Sequence, residues 1–222
     1  GMSATAASDN DGYTLGPIAV DLLMMKYEGK TQLGLDSFVP LAATMADPYG
    51  LLVAANNGKY DSVEEFVAYC KEHPGEVTVG NSGVGTATHL AAIAFERDFG
   101  ITLNHVSYDG SADVEAGTLK MLGFLADQRM ESYPDIPTVS ETMNSDTNFR
   151  GWVVVCAPAG TDQAKIDYLS DIFAKAVASD EYKAAIRNLG MEPVELTGTA
   201  LNDMLKADDA KYAELCTGIT LN

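Results

Sequence analysis

The sequence predicts an α/β protein on three observations: short apolar or alternating segments are separated by segments of helical period, a Gly-rich loop joins one strand to one helix, and the last third is helical. A largely parallel sheet is expected from that alternation, since a helix between two strands returns the chain to the same end of the sheet. With 222 residues, 46% of them hydrophobic, the chain can bury a sizeable core in one large or two small domains.

Tyr13-Thr14-Leu15, after the Asp11-Gly12 turn, predicts the first strand, and Leu51-Leu52-Val53-Ala54-Ala55 predicts a second that is apolar enough to be buried. The stretch between them is mixed and Gly-interrupted. Ser62 opens a helix: with Glu65 it forms a capping box, Val63, Phe66, Val67 and Cys70 make an apolar stripe, and His73-Pro74-Gly75 stops it. The strand Glu76-Val77-Thr78-Val79-Gly80 follows, then a Gly-rich loop, then an apolar-faced helix from His89 to Phe99 that Gly100 ends. Leu103 to Tyr108 alternates as a strand and breaks at Asp109-Gly110, Leu119 to Leu125 is a further strand, and Tyr133-Pro134-Asp135-Ile136-Pro137 is a turn. Trp152 to Cys156 is a buried strand. Past Pro158-Ala159-Gly160 the pattern turns helical: Gln163 to Ser179, Asp180 to Leu189 with Gly190 as stop, and Thr199 to Cys216. The sequence holds no repeat of fixed period and no low-complexity segment.

Charge narrows the function. Lys and Arg total 14 against 32 Asp and Glu, a net charge of -18, with a pI near 4.3. Such a field repels a phosphate backbone, so nucleic acid and anionic lipid are excluded as partners. The three cysteines, Cys70, Cys156 and Cys216, have neither CxxC nor Cys/His ligand spacing and are odd in number, which speaks against a disulfide framework or zinc; they read as small buried hydrophobes. No run of about 20 apolar residues spans a bilayer. Gly1-Met2 reads as the scar of tag cleavage, with a native signal peptide or lipid anchor preceding it in the natural protein.

The chemically informative segment is Gly80-Asn81-Ser82-Gly83-Val84-Gly85-Thr86-Ala87-Thr88. Its glycines let the backbone turn sharply and approach a ligand, and the helix that follows points unpaired N–H groups and the positive end of its dipole into the same space. With the hydroxyls of Ser82, Thr86 and Thr88, this is an anion site that needs no lysine or arginine. The bland alternative is a turn that merely joins strand to helix. A phosphate-binding loop would need Gly-Lys-Ser/Thr, and a dinucleotide fingerprint G-x-G-x-x-G, where these glycines stand as G-x-x-G-x-G. A nucleophile elbow needs G-x-S-x-G, and here Val84 stands two residues after Ser82.

Elsewhere the residues read as structural. His89 holds the turn or contacts the ligand, His73 belongs to a helix stop, and His105 lies in a strand; these scattered histidines suggest no metal site and no acid–base dyad. Glu64-Glu65 and Asp208-Asp209 read as solvated helix faces, and Trp152, Tyr13, Phe95 and Phe99 as core.

In order along the chain stand Asp11-Gly12-Tyr13-Thr14-Leu15, Gly80 to Leu90, His105-Val106-Ser107-Tyr108-Asp109-Gly110, Arg129 with Pro134-Asp135-Ile136-Pro137-Thr138-Val139-Ser140-Glu141, and Gly151-Trp152 leading to Ala157-Pro158-Ala159-Gly160-Thr161. This series resembles the tripartite tricarboxylate transporter solute receptors, the TctC or Bug family of extracytoplasmic binding proteins. The resemblance implies a two-lobed type II periplasmic-binding-protein fold with a ligand cleft between the lobes and hinge closure near Leu51-Val53 and Trp152-Val154. It places lobe one at residues 1–52 with 154–222, and lobe two at 53–153. It implies no catalysis and no cofactor, capture of a small organic carboxylate (a di- or tricarboxylate or an acidic amino acid), and delivery to the large and small subunits of a membrane permease. Action as a monomer is expected, in the periplasm or as a cell-surface lipoprotein of a Gram-positive cell.

By the same resemblance, Asn81, Ser82, Gly83, Val84, Gly85, Thr86 and Thr88 grip the ligand carboxylate through amides, hydroxyls and ordered water. The loop Gly16-Pro17-Ile18 would face the cleft from lobe one, and Tyr108, Gly110 and Ser111 would line its other side. Two departures from the family touch the site. An initial strand and its Gly-Gly-x-x-Asp-type loop are missing before Asp11, and a strand with its flanking helices is missing between Val114 and Glu115. Loss of a buried strand would expose its neighbours, so the natural protein is expected to contain these segments; the alternative is a truncated homologue that no longer binds solute. Two other function classes stay open: an α/β hydrolase or transferase using Ser82 or a cysteine, and a degenerate receptor acting as a sensor or interaction protein.

Overall fold

The computed structural model describes residues 1–108, 119–189 and 191–217, and these divide into two compact units. One gathers Gly1–Asp47 with the described residues from Gly151 on; the other is Pro48–Arg150. The backbone therefore passes from one unit to the other at 47/48 and returns at 150/151.

The first unit is built on a three-stranded sheet in the order β1 (Gly16–Ala19), β7 (Arg150–Pro158), β2 (Phe38–Pro48). β1 runs antiparallel to β7, with Ile18 opposite Val154. Around this sheet lie α1 (Met2–Ala6), α2 (Asp21–Tyr27), α6 (Gln163–Ala178), α7 (Asp180–Asn188) and α8 (Gly198–Thr217). Asp162 and Ser179 cap α6 and α7, accepting from the N–H groups of Ala164 and Tyr182. Trp152 is fully buried, and its Nε1–H donates to Asp208 Oδ2 at 2.9 Å. Asp209 meets Lys26 at 3.1 Å and accepts from the Tyr27 hydroxyl at 2.7 Å. The Asp208-Asp209 pair is thus no solvated face: Asp208 is buried because a Trp N–H, an obligatory donor in the core, needs an acceptor there.

The second unit holds two two-stranded sheets: β3 (Gly50–Ala54) antiparallel to β6 (Leu119–Phe124), and β4 (Thr78–Asn81) parallel to β5 (Asn104–Ser107). Its helices are α3 (Val63–Glu72), α4 (Ala87–Phe99) and α5 (Val139–Met143). In α3 the stripe Val63, Phe66, Val67 and Cys70 is buried, and Ser62 Oγ accepts from Glu65 N–H. The return half of the capping box reaches one residue further back, where Glu65 Oε2 accepts from Asp61 N–H at 2.7 Å. Gly100 ends α4 in the left-handed conformation at φ +60°.

Several expectations are corrected. The pairings β1–β7 and β3–β6 are antiparallel and β4–β5 is parallel, so the sheets are not largely parallel. A helix between sequential strands enforces parallel pairing only with the next strand, whereas β7 and β6 pair with strands that lie far back in the chain. Tyr13-Thr14-Leu15 is a bend and not a strand: Asp11 Oδ1 accepts from Tyr13 N–H at 2.9 Å, an Asx turn, and the Tyr13 side chain is 91% exposed rather than core. Gly16-Pro17-Ile18, expected as a loop, is the strand β1. The stretch read as mixed contains β1, α2, a 3-10 turn at Leu35–Ser37 and the whole of β2.

Candidate functional site

The Gly-rich segment sits where β4 ends and α4 begins, both in the second unit. β4 delivers Asn81, whose main-chain oxygen accepts from Tyr108 N–H at 2.9 Å and so continues the pairing with β5. Asn81 is buried, and its Oδ1 accepts from Gly83 N–H at 3.1 Å and from Ser107 Oγ–H at 2.9 Å. Its Nδ2 is buried without a hydrogen-bond partner among the described residues. Gly83 at φ +130° and Gly85 at φ +75° then carry the backbone through conformations that L side chains rarely adopt.

Three hydroxyls meet at the end of this turn. Thr86 Oγ donates to Gly83 O at 2.8 Å, Ser82 Oγ donates to Thr86 Oγ1 at 3.2 Å, and Ser82 Oγ and Thr88 Oγ1 are 2.8 Å apart. Thr88 Oγ1 also accepts from Ser82 N–H at 3.1 Å. Each hydroxyl has one hydrogen; with Thr86 donating to Gly83 and Ser82 to Thr86, the Thr88 hydrogen goes to Ser82 Oγ at 2.8 Å or Thr86 Oγ1 at 3.1 Å, so every hydroxyl hydrogen is used inside the loop. The side chain of Thr86, at the N-cap position, does not cap α4. The first-turn N–H groups of Ala87 and Thr88 have no acceptor within the helix, and α4 is 13 residues long, enough for a full dipole at this end. Between Lys71 and Arg97 the sequence has no lysine or arginine.

This arrangement can receive one carboxylate. An anionic oxygen brought to the loop takes over the Ser82 and Thr88 hydrogens, replacing neutral hydroxyl pairs by charge-assisted bonds that are about twice as strong. Around this polar centre are two half-exposed apolar groups: Val84 at the loop tip, 51% exposed, and Tyr108, 47% exposed, whose ring lies over Gly80. A Cβ at position 80 would stand 3.1 Å from Tyr108 Cε2, so the half-exposed ring would have to give by a few tenths of an ångström.

The structure thus brings together Asn81, Ser82, Gly83, Val84, Gly85, Thr86 and Thr88, with Tyr108 beside them. Gly110 and Ser111, and the junction of Val114 with Glu115, lie outside the described residues. In β1, Ile18 is buried in the core of the first unit, Pro17 is exposed, and Gly16 is small because Thr5 packs on it: a Cβ there would stand 1.9 Å from Thr5 Oγ1.

The histidines are not all scattered, and an acid–base pair does form. His105 Nε2 meets Glu96 Oε2 at 2.7 Å, and the rings of His105 and His89 stand edge to face with centroids 5.1 Å apart. The other oxygen of Glu96 accepts from Leu103 N–H. His89 accepts from Gly85 N–H through Nδ1 at 3.0 Å. These contacts escape a local reading because Glu96 and His105 are nine residues apart across the helix-to-strand connection; only the turn at Gly100 brings them together. Ser82 Oγ bonds to Thr86 and Thr88 and not to either imidazole. The thiols lie apart from the loop's chemistry: burial pushes Cys70 up to about 11, with the Glu96 carboxylate adding to it, and pushes Cys156 up to about 12. Among the described residues no group of three or more His, Cys, Asp and Glu side chains could hold a metal ion, and no helix is long and apolar enough to cross a membrane.

Comparison with known proteins gives a consistent result. The family model of the tripartite tricarboxylate transporter family receptor, TctC, matches residues 1–114 and 111–221. Protein BugT of Bordetella pertussis (strain Tohama I) is 31% identical over 227 residues, covering 89% of this chain and 68% of BugT. A TctC solute binding protein from Polaromonas, solved with no ligand, superimposes with a TM-score of 0.86 at 26% identity, covering 98% of this chain and 82% of that one. An R. palustris protein solved with adipate superimposes with a TM-score of 0.75 at 22% identity, covering 97% and 81%.

Proposed function

This chain belongs to the tripartite tricarboxylate transporter receptor family, and from that premise we propose that it captures a small organic carboxylate outside the cytoplasm and hands it to a membrane permease of a large and a small subunit. The solute is a di- or tricarboxylate or an acidic amino acid, and one of its carboxylates is held by the loop from Asn81 to Thr88. The receptor acts as a monomer. The observation that carries the reading is the hydroxyl cluster of Ser82, Thr86 and Thr88 at the start of α4, which supplies donors and a positive dipole end in a stretch with no cationic side chain. Adipate in the R. palustris protein supports the dicarboxylate class for this fold.

A surface with a strong excess of acid does not oppose this chemistry. Exposed charges farther away than about 10 Å are screened, whereas the loop amides and hydroxyls act at contact distance. Val84 and Tyr108 provide apolar surface for the carbon chain beyond the bound carboxylate.

The test is a thermal-shift screen with mono-, di- and tricarboxylates and acidic amino acids. A solute present at about 100 times its dissociation constant stabilises the folded state by ~2.7 kcal/mol. The expected result is a dose-dependent shift with one subset of di- or tricarboxylates, lost in Gly85→Val. At φ +75° a β-branched residue is strained, and the loop must move away from its ligand geometry. A folded protein that shifts with no carboxylate refutes the function, and a Gly85→Val variant that shifts as the parent does refutes the site.

A further inference from the structure

The loop is held at one point by a side chain that can change its charge. Gly85 N–H donates to His89 Nδ1 at 3.0 Å in a buried bond. A ring nitrogen that accepts carries no hydrogen, so in this structure His89 is the neutral tautomer protonated at Nε2. We propose that His89 is a positioning residue of the solute loop and that a proton on its Nδ1 releases the loop, so that solute capture weakens as the medium becomes acidic. This rests on the reading that residues 81–88 grip a carboxylate.

Between the end of β4 at Asn81 and the start of α4 at Ala87, neither ladder nor helix holds the backbone. Four side-chain tethers hold it instead: Thr88 Oγ1 on Ser82 N–H, Asn81 Oδ1 on Gly83 N–H, Thr86 Oγ1 on Gly83 O, and His89 Nδ1 on Gly85 N–H. Amide and hydroxyl tethers do not titrate near neutral pH. The His89 tether does, and protonation would set N–H against N–H in a buried place, where an unpaired donor is costly. Relief requires the ring to turn or the Gly85 segment to lift, and either change moves the hydroxyl cluster that begins at the next residue.

The titratable groups around His89 come from three elements. From β5, the His105 ring stands edge to face with it at 5.1 Å, and His105 Nε2 is bonded to Glu96 of α4 at 2.7 Å. From α3, Cys70 feels the Glu96 carboxylate but keeps its proton, with its thiol pushed up to about 11. Glu96 is thus the carboxylate of this cluster, bonded to the ring that stands against His89.

The Gly85 amide itself provides a test that needs no solute. Amide chemical shift and hydrogen exchange of Gly85 are followed by NMR from about pH 8 to pH 5, the range in which imidazoles take up protons, in the parent, His89→Asn and His89→Leu. Asn places Oδ1 where Nδ1 stands and cannot titrate; Leu removes the acceptor. Expected are a one-proton titration of the Gly85 amide in the parent, a flat profile with retained protection in His89→Asn, and exchange faster by about tenfold in His89→Leu, the loss of one hydrogen bond. A flat profile in the parent overturns the proposal. So does an equal titration in His89→Asn, which would assign the proton to His105 or Glu96. Calorimetry with adipate and malate then separates this inference from the one beneath it. Affinity should fall by up to tenfold per pH unit on acidification in the parent and stay level in His89→Asn. If no carboxylate of the thermal-shift screen binds, the carboxylate reading fails while the Gly85 titration still stands or falls by itself.

Discussion

Replacing Thr88 by Val tests whether the hydroxyl cluster serves a ligand or only the turn. The exchange keeps the shape and branching of the side chain and removes one oxygen. That oxygen accepts from Ser82 N–H at 3.1 Å and lies 2.8 Å from Ser82 Oγ and 3.1 Å from Thr86 Oγ1. Each hydrogen bond contributes about 0.5–1.5 kcal/mol net, and at this half-buried place water replaces part of what is lost, so the stability cost is about 1–2 kcal/mol. A domain of ordinary stability, about 5–15 kcal/mol, stays folded. Binding loses more, because a hydrogen bond to a charged acceptor contributes about 1.5–3 kcal/mol, which is roughly tenfold to a hundredfold in affinity. Urea unfolding and calorimetry with the best carboxylate of the screen measure the two effects separately. Thr88→Ser, which keeps the hydroxyl, should recover most of the affinity. An affinity for Thr88→Val within twofold of the parent, alongside a lowered unfolding midpoint, would show that the cluster only braces the turn.

Two further perturbations address the units themselves. Burial, and the nearby Glu192 carboxylate, hold Asp47 above its ordinary value of 3.8, although it accepts from Glu192 N–H at 3.2 Å. Folded Asp47 therefore keeps its proton to higher pH than the unfolded chain does, and its ionisation destabilises the fold as pH rises through that window. Asp47→Asn, which keeps the acceptor, should melt higher than the parent at pH 7, with the gain vanishing below pH 3.8; an equal gain at both pH values would refute the electrostatic cause. Burial keeps Cys70 and Cys156 as thiols, so a thiol reagent at pH 8 should label them only after denaturant is added, with the half-buried Cys216 reacting first. Rapid native labelling of Cys156 would contradict its burial.

What could be read from the chain was what is encoded within a few residues. The cap of α3, its stripe and the Gly100 stop of α4 are local, and each stands where the pattern places it. β2 was hidden because its evidence is distant: Pro40 and Pro48 interrupt the β pattern, and the contact that ties it down, Thr44 Oγ1 to Val153 O at 3.3 Å, crosses 109 residues. The motif of Arg129 with Pro134 to Glu141 is also explained by structure. Arg129 grips Glu141 through two bonds from Nε, each 3.0 Å, and reaches Pro134 O at 2.8 Å, while Thr138 caps α5. That guanidinium holds the Glu141 carboxyl below its usual range and braces a turn.

The loop shows the converse. Glycines and hydroxyls announce an anion site because their chemistry is the same wherever the rest of the fold lies, but they do not say which donors are free. The structure uses Gly85 N–H internally, on His89, and ties all three hydroxyl hydrogens to oxygens of the same loop. The hydroxyl cluster costs little to keep folded in the absence of solute, since none of its three hydrogens is left unpaired; the buried donor of the loop without a partner among the described residues is Asn81 Nδ2. On the proposed function the cluster would also discriminate: only an acceptor stronger than a neutral hydroxyl, such as a carboxylate, would gain by displacing those bonds, whereas an alcohol or an amide would exchange like for like. Selectivity for charge in a segment without a lysine or arginine follows from that competition. It predicts that the uncharged diamide of a bound dicarboxylate should show no measurable shift in the same thermal screen, and a diamide that stabilises as well as the acid would refute it.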